Sequence, residues 1–126
     1  MSAANLSVLR GYFDAMAAGG PPAAMPFYAD DVVLEVPGSH PASGTYHGHA
    51  GVGEFGATMA RLSGGTFRLV PDELLAGDDH VVTVATASAN GASWRRLILS
   101  TVRDGKLATV RFFEGDQGLV DKALTP

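Results

Sequence analysis

The second half of the chain is divided by turn dipeptides into segments of strand length. Asn90-Gly91 and Asp104-Gly105 are typical of tight hairpins, because their residues accept the left-handed backbone that such turns need. The segments around these turns are predicted strands, at residues 67–74, 81–89, 94–102 and 107–114. Consecutive strands joined by short turns form an antiparallel meander, and this requirement constrains the fold more than any other feature of the sequence.

The first half of the chain has helical periodicity. A helix is predicted over residues 6–18, capped by Asn5 and ended by Gly19-Gly20 and the two prolines that follow. A one-turn helix follows over residues 23–28, a turn ends at residues 29–31, and residues 32–36 form a short β-branched strand. A third helix covers residues 49–62, and we expect its glycines at 51, 53 and 56 to allow close approach to the sheet.

Helices followed by hairpins predict an α+β fold with the helices on one face of a sheet that curves around them. The 126 residues are 46% hydrophobic and 17% charged, which is typical of one globular domain, so we expect residues 1–126 to form a single domain. The final helix is expected at residues 117–123.

Charge and composition exclude several classes of partner. The net charge is −4 and the nine Lys and Arg residues are scattered except at Arg95-Arg96, which argues against nucleic acid as a partner. No stretch reaches the eighteen apolar residues of a membrane span, so we expect no membrane partner either. The chain has no cysteine, which fits a reducing compartment, and the expected location is the cytoplasm.

Several motifs resemble one superfamily of proteins along nearly the whole chain. They are the Tyr28-Ala29-Asp30-Asp31 segment, the Gly44-Thr45-Tyr46-His47-Gly48 loop before a helix, and Asp104-Gly105-Lys106-Leu107 before the last strand. With the order of elements, they resemble the nuclear transport factor 2-like superfamily, and within it SnoaL-like polyketide cyclases and ketosteroid isomerases. The resemblance implies a cone-shaped, cystatin-like roll around N-terminal helices. It does not imply one reaction, because this scaffold hosts isomerases, cyclases, dehydratases, epoxide hydrolases and binding proteins.

The resemblance assigns a role to Tyr12. Ketosteroid isomerases place at this position the tyrosine that donates a hydrogen bond to the substrate oxyanion, and a phenol suits that role at neutral pH. The alternative is a core tyrosine whose hydroxyl bonds to backbone. The general base of the isomerases would fall at Val36, and their second oxyanion donor near Ile98 or Ser100, where no carboxylate is present. The steroid-isomerase mechanism is therefore not expected in its usual form.

Glu114 and His40 are the candidate acid–base residues. Glu114 ends an apolar strand on the same face as Val110 and Phe112, where desolvation would raise the pKa of a carboxylate. Its alternatives are a solvated strand end or a pair with Arg95 or Arg111. His40 lies in the loop after the first strand and could act as acid or base over the cavity, or could be an ordinary surface histidine.

No metal or organic cofactor is expected. His47 and His49 flank a glycine without the spacing of a zinc site, and the chain has no glycine-rich phosphate loop. Cyclisation, isomerisation or dehydration of an apolar carbonyl compound needs neither group.

The remaining candidate residues line the expected binding cavity or its mouth. Asp116 has a second interpretation as the N-cap of the last helix, and Trp94 could stack at the mouth or anchor an interface. Arg95-Arg96 could form a rim for an anionic ligand. The expected ligand-binding residues are Phe13, Met16, Tyr28, Leu34, Val36, Phe55, Met59, Trp94, Ile98, Ser100, Val110, Phe112 and Asp116.

Residues out of phase with the cavity define an outer sheet face. Glu35, Arg111 and Phe113 should lie there, and the resemblance implies that this face packs against a second copy to form a homodimer, with a solvated face as the alternative. Two functions remain open. One is an enzyme in which Tyr12 polarises an oxygen of a small apolar ligand while His40 or Glu114 moves a proton. The other is a ligand-binding or protein-interaction domain with the same cavity.

Overall fold

The computed structural model describes residues 2–126 and contains three helices, a short 3-10 turn and six strands. In chain order the elements are α1 (Ala3–Ala24), the 3-10 turn (Met25–Phe27), β1 (Tyr28–Val36), β2 (Gly44–His47), α2 (Gly48–Ser63), β3 (Arg68–Ala76), β4 (His80–Ala89), β5 (Ala92–Arg103), β6 (Lys106–Glu114) and α3 (Gln117–Ala123). No helix in this part of the chain combines the length and apolarity needed to cross a bilayer.

The six strands form one sheet in the order β2-β1-β6-β5-β4-β3. Strands β3 to β6 make the antiparallel meander that the turn dipeptides predict, and Asn90 and Asp104 both have positive φ at the two hairpins. β1 lies between β2 and β6 and is parallel to β6, so the sheet is not antiparallel throughout. The α+β class with helices against a curved sheet is confirmed.

The start of α1 differs from the sequence expectation. Ser2, not Asn5, is the N-cap, because the Ser2 side chain accepts a hydrogen bond from the Asn5 backbone N–H. The Asn5 side chain instead donates to the carbonyl oxygens of Gly77 and Asp78 in the β3–β4 turn. Helical backbone breaks at Gly20, where φ is 72°, as the glycine pair predicts, and one further helical turn brings α1 to Ala24.

The segment after α1 becomes extended earlier than predicted. β1 begins at Tyr28, which pairs with Leu107 of β6, so residues 29–31 are strand rather than the end of a helical turn. β2 falls in a segment interpreted as a loop, and it is held by pairing with β1, with Leu34 opposite Tyr46. Neither β2 nor the first residues of β1 have a pattern strong enough to predict a strand, because pairing with a neighbouring strand and not local propensity stabilises them.

The glycines at 51, 53 and 56 in α2 have different surroundings. A Cβ at Gly51 would lie 3.1 Å from the carbonyl carbon of Tyr46, so the expected close approach to the sheet occurs there. Cβ atoms at Gly53 and Gly56 would meet nothing within 4 Å. These two positions do not approach the sheet and instead leave an opening beside α2.

Strand alternation separates a concave, buried face from an outer face. Val110, Phe112 and Glu114 of β6 point inward, as predicted, while Arg111 and Phe113 are exposed. On the outer face the Arg111 Nε lies 3.4 Å from Glu35 Oε2. The concave face and the helices enclose the core together with a cavity.

Candidate functional site

A cavity of about 490 Å³ lies between α1, α2 and the concave face of the sheet. Its wall is mainly aliphatic and aromatic, which is typical of sites for small organic molecules. Ten of the predicted residues line it, namely Tyr12, Phe13, Met16, Tyr28, Leu34, Phe55, Ile98, Ser100, Val110 and Phe112. Gly53, Gly56 and Ala57 of α2 also line the cavity and are exposed, so they mark its mouth.

Four residues predicted to bind ligand do not line this cavity. Val36 is buried in the main core beyond the cavity wall. Met59 and Trp94 pack in a second core cluster, where α3 covers them through Val120 and Leu124. Trp94 is therefore neither a stacking surface at the mouth nor an exposed interface anchor.

Asp116 is the fourth of these residues. Its side chain accepts a hydrogen bond from the Leu119 backbone N–H at 3.1 Å, so it caps α3. This was the alternative interpretation of Asp116, and it explains the residue through helix formation rather than ligand contact.

The two tyrosines form a pair at one end of the cavity. The Oη atoms of Tyr12 and Tyr28 are 2.8 Å apart, and their rings meet edge to face. Burial raises the pKa of Tyr12, and it raises that of Tyr28 well above its usual value. Both phenols therefore stay protonated at neutral pH. Since one of the two hydroxyls donates to the other, the second proton remains available for a ligand oxygen.

Glu114 has a different partner from those considered in the sequence. Its two carboxylate oxygens accept hydrogen bonds from Nε and Nη2 of Arg96, both at 2.9 Å, and the two residues are directly opposite on β5 and β6. The side chains are almost fully buried, at 4% and 1% exposure. The Arg96 guanidinium also lies 4.2 Å from the Phe112 ring centroid. Arg96 is thus a buried residue of the cavity wall and not part of a surface rim.

This arrangement changes the role expected of Glu114. The carboxylate does not line the cavity, and both of its oxygens are engaged by Arg96. Arg95, the neighbouring cation, points to the opposite face and lies 3.6 Å from Asp72. Glu114 is therefore not a free carboxylate in contact with the ligand space.

His40 is buried outside the cavity. Its Nδ1 accepts a hydrogen bond from the Ala42 backbone N–H at 3.2 Å, and its own backbone N–H donates to Ser43 Oγ. Burial lowers the pKa of His40, although the nearby carboxylates of Asp121 and Glu114 act in the opposite direction. The neutral ring holds the loop together and does not lean over the ligand space.

The cavity wall also contains polar residues that the sequence reasoning missed. Arg96 and Thr83 line the cavity beside Ser100. Arg96 has the same strand parity as Ile98 and Ser100, so alternation along β5 could have found it. Thr83 required the register between β4 and β5, in which it lies opposite Ile98. Within residues 2–126 no imidazole or carboxylate lines the cavity, and no cluster of three potential metal ligands occurs.

The chain is similar to one protein family and to several solved structures. The model of the SnoaL-like domain family matches residues 9–110. No curated protein matches the chain. A protein of unknown function with a cystatin-like fold from Xanthomonas campestris is 30% identical, with a TM-score of 0.86 over 97% of this chain and 98% of that one.

Two further solved structures share the fold. A putative ketosteroid isomerase from Kribbella flavida is 20% identical, with a TM-score of 0.73 over 90% of this chain and 78% of the other. A putative polyketide cyclase from Sinorhizobium meliloti is 19% identical, with a TM-score of 0.71 over 85% of this chain and 94% of the other.

Proposed function

The chain belongs to the SnoaL-like domain family, and on that premise we propose that its cavity binds a small apolar carbonyl compound. Tyr12 would polarise the ligand oxygen and so promote isomerisation, cyclisation or dehydration without a cofactor. The observation that carries this proposal is the hydrogen-bonded pair of Tyr12 and Tyr28 in a mainly apolar wall.

The chemical reason is differential stabilisation. When a proton passes from the carbon beside a carbonyl to a basic group of the ligand or to water at the cavity mouth, negative charge develops on the carbonyl oxygen, and a phenol hydrogen bond to that oxygen strengthens. Tyr28 adds to this effect, because a hydrogen bond donated to the Tyr12 oxygen polarises the Tyr12 O–H. The apolar wall keeps water away and makes each such bond count for more. Since Glu114 and His40 lie outside the wall, the proposal assigns only the oxygen-polarising role to this chain.

A ligand screen followed by product analysis tests the proposal. Polyketide-like, steroid-like and terpenoid carbonyl compounds that bind the folded chain should raise its melting temperature by mass action. Each compound that does so is then incubated with the protein, recovered and compared with a sample kept without protein. Chemical change indicates an enzyme.

Tyrosine variants locate the effect. Tyr12→Phe should weaken binding about tenfold and slow turnover about a hundredfold or more. Tyr46→Phe is the matched control, because the Tyr46 hydroxyl donates to the Ala42 carbonyl away from the cavity. If Tyr12→Phe binds and converts ligand like the unaltered chain, the proposed role of the phenol pair is wrong.

A second candidate is a ligand-binding domain without catalysis. The specific observation in its favour is the cavity wall itself, in which the described residues include no imidazole or carboxylate to move a proton. Unchanged recovery of every compound that binds would favour this function over the first.

A further inference from the structure

The cavity has a second polar region on the sheet side. Arg96, Thr83 and Ser100 line the cavity and are at most 3% exposed, and we call these three residues the polar strip. Thr83 lies opposite Ile98 across β4 and β5, and Arg96 and Ser100 flank Ile98 on β5. The three side chains therefore lie on one face at diagonal positions, within reach of one molecule.

Each residue of the polar strip has one side-chain donor without a partner among residues 2–126. The hydroxyls of Thr83 and Ser100 make no side-chain hydrogen bond there; both residues are almost fully buried, and both line the cavity. Arg96 gives Nε and Nη2 to Glu114, which leaves Nη1 without a protein acceptor. Buried polar groups in folded proteins are normally hydrogen-bonded, so three unpaired groups facing one cavity indicate a ligand with matching oxygens.

The net charge of the polar strip determines whether it favours a charged or a neutral oxygen group on the ligand. Arg96 is neutralised by the Glu114 carboxylate at 2.9 Å, so the region carries no net positive charge toward the cavity. A carboxylate or phosphate bound at the polar strip would lose its hydration without gaining a free cation there, since Arg68, the other arginine of the cavity wall, lies outside the polar strip. A neutral hydroxyl or carbonyl loses far less and can accept from Nη1 or from the hydroxyls of Thr83 and Ser100, and a hydroxyl can also donate to them.

The polar strip and the phenol pair lie in different parts of the cavity. Tyr28 is opposite Leu107 near the start of β6, whereas Arg96 is opposite Glu114 at its end. Along β6, Leu107 lies about 10 Å from Val110, the partner of Ser100, and about 23 Å from Glu114, the partner of Arg96, so one oxygen atom cannot contact both Arg96 and the phenol pair. We propose that the ligand is an apolar ring compound with two neutral oxygen functions at opposite ends, one bound by Tyr12 and the other by the polar strip. This proposal rests on the proposed function and adds a second point of recognition.

Three naphthalene probes test the proposal by calorimetry or competition: naphthalene, 2-naphthol and 2,6-dihydroxynaphthalene. The second hydroxyl should make 2,6-dihydroxynaphthalene bind about three- to tenfold more tightly than 2-naphthol. The double variant Thr83→Val with Ser100→Ala should remove this preference, so that it binds 2-naphthol and 2,6-dihydroxynaphthalene equally tightly. 2-Naphthoic acid, which adds a negative charge, should bind no more tightly than 2-naphthol.

A control variant and the naphthalene comparison distinguish failure of the polar-strip proposal from failure of the proposed function. Thr101→Val changes a hydroxyl on the neighbouring, outward-facing position of β5 and should keep the preference. If the double variant keeps the preference, or if the unaltered chain has none, the polar-strip proposal is wrong. The proposed function survives that result when 2-naphthol binds more tightly than naphthalene and Tyr12→Phe weakens its binding. If neither hydroxylated probe binds more tightly than naphthalene, both proposals are overturned.

Discussion

At the scale of single residues, the Arg96–Glu114 pair is the strongest constraint on what can be changed. Glu114→Gln would leave a buried guanidinium without its counter-charge, and such changes cost about 3–5 kcal/mol. We expect urea unfolding to show a loss of this size. Glu35→Gln is the matched control, since it breaks the exposed Glu35–Arg111 pair on the other face and should cost about 1 kcal/mol or less. Equal losses in the two variants would contradict this interpretation.

His40 should make stability depend on mild acid. Its pKa in the folded chain is lowered by burial, so below the ordinary histidine pKa of about 6.5 the unfolded chain binds a proton more readily than the folded one. The contribution of His40 to the free energy of unfolding is fully present above that pKa and declines as the pH falls through it. His40→Asn should therefore lose less stability between about pH 7.5 and 5.5 than the unaltered chain in urea unfolding.

The histidine at position 80 provides the control for this measurement. His80 is exposed at the start of β4, so His80→Asn should keep the acid sensitivity of the unaltered chain. An acid response that survives His40→Asn unchanged would show that another group is responsible.

At the scale of elements, α2 offers a test of close packing. Gly51→Ala should lower stability by about 1 kcal/mol or more, because its Cβ would meet the Tyr46 backbone and the resulting strain exceeds the gain in helix propensity. Gly53→Ala has open space and should raise stability by up to about 1 kcal/mol. Melting temperatures of the two variants and the unaltered chain show whether each change lowers or raises stability. If Gly51→Ala raised stability, β2 would have moved to accommodate the Cβ without strain, and the prediction would be wrong.

The elements also show what sequence could and could not predict. The hairpins were predictable because Asn90 and Asp104 encode their turns locally. β2 and the first residues of β1 were not, because pairing partners far along the chain hold them. In the site, alternation placed Val110 and Phe112 on one face of β6, and both residues line the cavity. It could not identify Arg96 as the partner of Glu114, since that contact depends on the register between two strands.

At the scale of the whole molecule, the outer face of the sheet carries large apolar side chains that are exposed to solvent. Leu97 and Phe113 are directly opposite on β5 and β6 and are 41% and 45% exposed, with Val70 and Leu75 exposed on the same face. An apolar area of this kind commonly marks an interface, and we propose that it forms a homodimer. Sedimentation at micromolar concentration should give a dimer mass, and Phe113→Asp should give a monomer.

A matched change on another surface controls for charge alone. Glu54→Lys alters an exposed residue of α2 and should leave the dimer mass unchanged. A monomeric mass for the unaltered chain would remove the case for association through the sheet.

The parallel pairing of β1 with β6 also governs when the cavity can form. Leu34, from the early part of the chain, and Val110, near its end, are neighbours in the sheet and in the cavity wall. Contacts between distant parts of a chain form late, because the intervening segment loses freedom before the contact repays that loss. During synthesis the meander can pair in order, but the ligand space is completed only after β6 has left the ribosome. A ligand therefore meets a finished binding site only after β6 has paired with β1, and it cannot guide the earlier steps of folding.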